Sequence, residues 1–468
     1  MSAPRILIRN VEVFGRPTPF RMPFRFGPVT VDGAVQAFVR LTVEVEGRGH
    51  ATGASAELMP PKWFDKRPGR TPAETAADLA ASLIHAARLA NAASGPDTAF
   101  GHHARLLAGQ LAWACDRDLT PLSAGFGVAQ IDKAVLDGLS RVLGQSFVDV
   151  LRANAVGLDA RLTPDLDAQA IGAALARLKP AARIALRHTV GMTDRIEGPD
   201  SLATEIDAAD LRWFKVKLSG DPAADLLRLG AIAQLLEGRG IDYRLTLDAN
   251  EQYQPEALAS LFALAEADPR LAGLVARLLF IEQPFDRTLT LKQPLDPALA
   301  ARGVVIDEAD DGYDAFARAR VLGYRGVSSK CCKGLYRALL NSARATVWNA
   351  EAGEAGRYFV TAEDLTCQAG LAVQQDTAFV AALGLTHVER NGHHYVDGFG
   401  LAPIREAEAF AAAHPGLYER SGGRVRLATR SGHLDTSSLY GPGFAAGAVP
   451  DWASLRPLTD PLQEGLTA

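Results

Sequence analysis

Leu245 to Asn250 reads LTLDAN, an apolar β-rich run that ends in an acid, with Asn two residues later. Four stretches around it share that design: FKVKLS (Phe214–Ser219) before, and FIEQPF (Phe280–Phe285), VVIDEA (Val304–Ala309) and GVSSK (Gly326–Lys330) after. Each carries a charged group at or near its C-terminal end. Reading each run as a buried parallel strand puts all of those charges on one rim. Further apolar runs stand at Ile184–Thr189, Tyr358–Thr361 and Leu385–Val388, and the run that holds FIEQPF begins at Leu278, with helical stretches between most of them. From Lys217 to Asp248 is 31 positions, then 34 to Glu282, 25 to Asp307 and 23 to Lys330. That is the chain needed for one strand, one helix and two loops. Eight such units close as an α/β fold, a (β/α)8 barrel with its active site where the strands end. An open doubly wound sheet is the alternative.

Upstream, apolar and polar residues alternate over Ile6–Phe14 and Ala34–Glu46, as in an antiparallel sheet with one wet face. Thr18–Gly27 and Gly53–Arg70 read as irregular loops whose aromatics could cover a pocket. Helical periodicity follows at Pro72–Ala93, with Thr71 as N-cap, then at Ala99–Cys115 and Val128–Leu143. The expected organisation is an α+β capping domain (1–156), the barrel (157–397) and a Pro- and Gly-rich tail (398–468) packing back on the capping domain.

The 468 residues carry 49 Lys+Arg against 54 Asp+Glu, a net charge of -5, which gives no electrostatic reason to expect nucleic acid or an anionic membrane as partner. No apolar run approaches a membrane span or a signal peptide. The four cysteines, Cys115, Cys331, Cys332 and Cys367, lack zinc-type spacing and are too few for a disulfide scaffold. The reading is a soluble, cytoplasmic protein acting on a small molecule.

Asp248, Glu282 and Asp307 come from three consecutive strands. Three oxygen ligands at one point call for a hard divalent cation, Mg2+ by default, which keeps positions for water and substrate. Asp307 and Glu308 are neighbours and should face opposite sides, and spacing does not choose between them. Lys215 and Lys217, two apart, leave the same face of their strand. Lys330 ends a strand across the barrel, with Ser328 on its side. Two lysines facing a cation can each take or return a proton, and nearby positive charge lowers a lysine pKa toward neutrality. Removing a proton α to a carboxylate builds an enediolate, which a divalent cation and an ammonium would stabilise.

The KxK at Lys215–Lys217, DAN at Asp248–Asn250, EQP at Glu282–Pro284 and DE at Asp307–Glu308 stand in the order seen in the enolase superfamily. The chain resembles that family's muconate-lactonizing-enzyme and mandelate-racemase branches, from MPFRFGPVTV near the N-terminus, through VAQIDKAVLDGLSRVLGQSF, to the barrel. The resemblance implies Mg2+ on Asp248, Glu282 and Asp307, acid/base lysines at Lys217 and Lys330 assisted by Lys215, a small carboxylate substrate and a homo-oligomer. The implied reaction is racemisation, epimerisation or cycloisomerisation. An acid-sugar-type dehydratase and a catalytically silent barrel that binds an acid are the alternatives. Three departures stand out. Tyr358–Asp364 lacks the histidine of a His-Asp dyad, THVERNGHHY lacks the Asp-x-Asp of dipeptide epimerases, and CCKGLY follows Lys330. Asn250 is expected to support Asp248, and Glu308, Glu363 and Glu389 to line the pocket. His393 and His394 are read as a solvated turn or a substrate contact, and Cys331–Cys332 as small buried hydrophobes.

Overall fold

The structure, a computed structural model, describes residues 3–27 and 29–459. Three strands, β1 (Ile6–Phe26), β2 (Val29–Val45) and β3 (Gly49–Met59), form an antiparallel meander. Three helices cover it: α1 (Pro72–Ala92), α2 (Ala99–Cys115) and α3 (Pro121–Leu143). Thr71 and Glu74 make a reciprocal capping box at the start of α1, with Pro72 in the first turn, where a missing N–H costs nothing. The face of β3 lies directly on α3. A Cβ on Gly53 would stand 2.0 Å from the Ala134 carbonyl, so only glycine allows that approach.

Thr18–Phe26, expected as a loop, belongs to β1. From Arg16 onward the even residues turn inward and the odd ones outward, so Pro17, Pro19 and Pro23 all fall on the exposed phase. The irregular pairing between Pro19 and Phe24 absorbs the remaining mismatch. Gly53–Met59 is likewise strand, which leaves only Pro60–Arg70 irregular. Helix α3 begins seven positions before the expected Val128, because Thr120 caps it and Pro121 opens it.

Eight parallel strands follow: β4 (Arg183–Val190), β5 (Trp213–Lys217), β6 (Arg244–Asp248), β7 (Leu278–Glu282), β8 (Val304–Ile306), β9 (Gly326–Ser329), β10 (Phe359–Ala362) and β11 (His387–Arg390). Each coincides with an expected run to within about two residues. Their order is β10-β9-β8-β7-β6-β5-β4-β11. The sheet curls so that its end strands β10 and β11 approach each other, yet among the described residues no backbone ladder joins them. The eight parallel strands thus form a curled sheet, a half-barrel by its backbone pairing. The seam is crossed by side chains instead. Arg187 of β4 donates to the Ala362 carbonyl at 2.9 Å, and the Asp364 N–H donates to Glu389 at 2.9 Å.

The tail adds a hairpin, β12 (Tyr418–Ser421) with β13 (Arg424–Leu427), and two single strands. Of these, β14 (His433–Asp435) pairs with β4, and β15 (Arg456–Pro457) with β1. The tail thus lies on both the eight-stranded sheet and the meander, where only the second was expected. Buried Arg16 of β1 forms a two-pronged ion pair with Glu406. Among the described residues no helix is long and apolar enough to cross a membrane.

Candidate active site

The C-terminal ends of β5 to β11 deliver their charged groups to one buried cluster, as parallel strands with the same polarity must. Lys215, Lys217, Asp248, Glu282, Asp307, Lys330, Glu363 and Glu389 are each no more than 6 % exposed. At that burial an unpaired charge is untenable, and each finds a partner. Lys217 Nζ donates to Asp248 Oδ2 at 2.6 Å, and Lys330 Nζ donates to Asp307 Oδ2 at 2.6 Å. Lys215 Nζ sits among four carboxylates, Glu282 at 2.7 Å, Glu389 at 2.8 Å and Asp248 and Glu363 at 2.9 Å.

These pairings set the protonation states. Burial raises the carboxyl of Glu282, and its acid neighbours Asp248 and Glu363 push it higher, well above the usual carboxylate range. Burial works against ionised Asp307, but the Lys330 and Lys333 ammoniums overcome it and hold the group low. Burial would lower Lys330, yet the facing Asp307 outweighs it and raises the lysine above its ordinary value. The expectation that neighbouring cations lower this lysine is thus corrected: an aspartate at 2.6 Å dominates over a more distant ammonium.

Asp307 and Glu308 do part to different neighbours. Asp307 takes Lys330, Ser328 and Lys333, whereas Glu308 accepts from Lys66 Nζ at 2.8 Å and from Asn250 Nδ2 at 3.3 Å. Asn250 supports Asp248 through its backbone, whose N–H donates to Oδ1 at 2.9 Å, rather than through its side chain. The cap contributes aromatics. The Trp63 ring lies 4.2 Å from Lys330 Nζ, and the Phe24 ring 6.0 Å from Lys217 Nζ. His393 and His394 do not join the lysine–carboxylate cluster; they pack with His188 on β4, His393 lines a separate cavity with Arg21 and Glu205, and His394 lies 3.3 Å from Glu205. Cys331 and Cys332 are buried, and burial pushes both thiols up.

Sequence reasoning passed over Arg187, Lys333 and Lys66. Arg187 carried a readable signal, a charged residue inside a run expected to be buried on both faces. Lys333 stands three after Lys330 on one short turn, a spacing that also brings side chains together. Nothing in the sequence marks Lys66.

Asp248, Glu282 and Asp307 offer hard oxygen donors from three adjacent strands. Among the described residues no three acids, imidazoles or thiols converge as a ready ion cage. The reason is visible: Lys217, Lys215 and Lys330 each hold one oxygen of the trio. The trio nevertheless fits a hard cation. Glu282 Oε2 is buried with no well-aligned hydrogen bond, only the Lys215 ammonium at 2.7 Å beside it, and a carboxyl raised by its acid neighbours gains most from added positive charge.

No family model and no curated protein matches the chain. Solved structures do. A dipeptide epimerase from Enterococcus faecalis V583, complexed with Mg and L-Leu-L-Tyr, is 17% identical with a TM-score of 0.60 over 94% of this chain and 99% of that one. A second dipeptide epimerase, from Methylococcus capsulatus, is 19% identical with a TM-score of 0.57 over 92% and 99%. A Bradyrhizobium enolase complexed with magnesium and mandelic acid is 18% identical with a TM-score of 0.59 over 96% and 97%. The chain shares the fold of these solved structures, with the cap and the curled α/β sheet both included in the match.

Proposed function

We propose that this chain is an enolase-superfamily enzyme that removes the proton α to the carboxylate of a small substrate. The observation that carries the reading is the repeated lysine–aspartate pair, Lys217 with Asp248 and Lys330 with Asp307, each at 2.6 Å and placed on either side of the Glu282 strand in sheet order. Asp248, Glu282 and Asp307 would hold Mg2+. The magnesium in the similar dipeptide epimerases and in the mandelic acid complex supports that choice. Bound there, the cation supplies positive charge where the two carboxylate oxygens of the substrate become more negative.

The chain's own groups do the rest. Asp307 keeps Lys330 charged, so drawing that carboxylate's charge elsewhere is what frees the amine to accept a proton. Asp248 stands to Lys217 at the same 2.6 Å as Asp307 to Lys330. One lysine takes the α-proton and the other returns one, which favours racemisation or epimerisation; expulsion of a group, as in cycloisomerisation, needs only the first step. Trp63 and Phe24 close the cap over the two amines and keep water away. Glu363 and Glu389, the pocket candidates from the last strands, face Lys215 rather than an open space.

The test is Mg2+-dependent incorporation of deuterium from solvent at the α-carbon across a library of carboxylic acids, with metal analysis of the purified protein. Exchange that needs Mg2+ and is lost on one face of the substrate in Lys217→Ala and on the other in Lys330→Ala is expected. A chain that binds no divalent cation and exchanges no substrate would sink the reading in favour of a silent barrel.

A further inference from the structure

An ammonium has three N–H groups, and Lys215 faces four carboxylates. Its hydrogen bonds go to Glu282 Oε1 at 2.9 Å, Glu363 Oε2 at 2.9 Å and Glu389 Oε2 at 2.8 Å, while Asp248 accepts from Lys217 instead. Lys215 is therefore shared between two sets of acids. Asp248 and Glu282 are members of the trio suited to a hard cation. Glu363 and Glu389 belong to β10 and β11, the end strands that share no ladder.

The second set is tethered from behind. Arg187 donates to Glu363 Oε1 at 2.5 Å, and Thr189 Oγ1 donates to Glu389 Oε1 at 2.7 Å. Arg187 and Glu363 are both fully buried. Each tether occupies the oxygen that Lys215 does not use, so both carboxylates are held with one oxygen aimed at its ammonium. The arrangement matters because a lysine within 2.9 Å of Asp248 and Glu282 competes with a dication for the same oxygens.

We propose that Glu363, fixed by Arg187, is a positioning residue that draws the Lys215 ammonium toward the β10–β11 seam and thereby leaves Asp248 and Glu282 to a divalent cation. This rests on the metal reading given above. Glu363 touches neither the cation nor the substrate; it acts through Lys215. The curled sheet thus uses one ion network both to bridge its unpaired edge and to offer the internal cation, which stands 2.7 Å from Glu282 and 2.9 Å from Asp248, a second set of acids to rest on when a dication takes the first.

The experiment is Mn2+ titration of the full chain, followed by electron paramagnetic resonance, with Glu363→Asp in two backgrounds. Aspartate keeps the charge but is one methylene shorter, so it cannot span Arg187 and Lys215 together. In the otherwise native chain Glu363→Asp should weaken Mn2+ binding by about tenfold, the range of other partners that orient a ligand set. In a Lys215→Met background the same substitution should change the affinity by less than about twofold, since the group it controls is gone. An equal loss in both backgrounds, or none in the native chain, overturns the proposal. If the native chain binds no Mn2+, the metal reading fails and takes this inference with it, an outcome distinct from a loss confined to the variant. Should Glu363→Asp not fold, Arg187→Lys loosens Glu363 from the other side and is expected to show the same dependence on Lys215.

Discussion

The two halves of the rim carry the same pair and different surroundings. On the β5–β6 side, Lys217 meets Asp248, whose other neighbour Lys215 is divided among three further acids. On the β8–β9 side, Lys330 meets Asp307, which also takes Ser328 and Lys333, and Lys333 in turn has Asp310 at 3.0 Å. One half has spare carboxylates around a cation, the other spare cations around a carboxylate. On the proposed reading the two lysines work in unlike surroundings and need not be equal partners.

The largest test of that comparison removes one base at a time. Lys217→Ala and Lys330→Ala should each abolish α-proton exchange on one face of a turned-over substrate, by roughly two to four orders of magnitude, while the other face continues to exchange. Stereospecific deuterium analysis reads the outcome, and loss of both faces in either variant would show that the halves do not divide the work.

A smaller effect concerns the cap. The Trp63 ring, close to Lys330, stabilises its ammonium, so Trp63→Leu should make that amine easier to deprotonate. The limb of the kcat/KM profile that reports Lys330 should then move to lower pH by up to about one unit, taking roughly 1.4 kcal/mol per unit. Phe24→Leu, whose ring is farther from Lys217, should move its limb less. A larger shift from Phe24→Leu would invert the comparison.

The smallest effect contrasts both halves with the outer face of β4, where a histidine is kept neutral beside an ionised glutamate. Burial and the neighbouring His394 hold His393 down to about 4, while hydrogen bonding to His394 holds Glu205 down to about 2. Unfolded, His393 binds its proton near the ordinary 6.5, so the unfolded chain gains protons first as pH falls. Stability should therefore be flat above that value and decline toward pH 4, by at most about 1.4 kcal/mol per unit. Glu205 adds its own loss only below its free value of 4.5. Melting temperature against pH reads both, and His393→Gln should flatten the upper part of the curve without changing the metal titration.

The barrel strands were legible because each is an apolar run that a two-sided burial requires, with its charge at the same end. The β1 extension through Thr18–Phe26 was not, because two prolines in nine residues, with Pro17 just before them, outweigh a period-two pattern when only local propensity is considered. Register against β2 decides otherwise, placing those prolines on the exposed phase. The roles of Glu363 and Glu389 were half legible: strand ends put them near the pocket, but nothing local says that Lys215 is their partner.

By itself the sequence determined the repeated strand–helix unit, the rim of Lys217, Asp248, Glu282, Asp307 and Lys330, and the chemistry such a rim can do. These follow from periodicity and strand polarity, which are properties of the chain read locally. Tertiary structure alone decided which charge meets which: Lys66 on Glu308, Arg187 on Glu363, four acids on Lys215, and a sheet that curls without sealing its last edge. Those depend on distances between residues up to 242 positions apart, and a buried charge selects its partner by proximity in space, to which sequence spacing is blind.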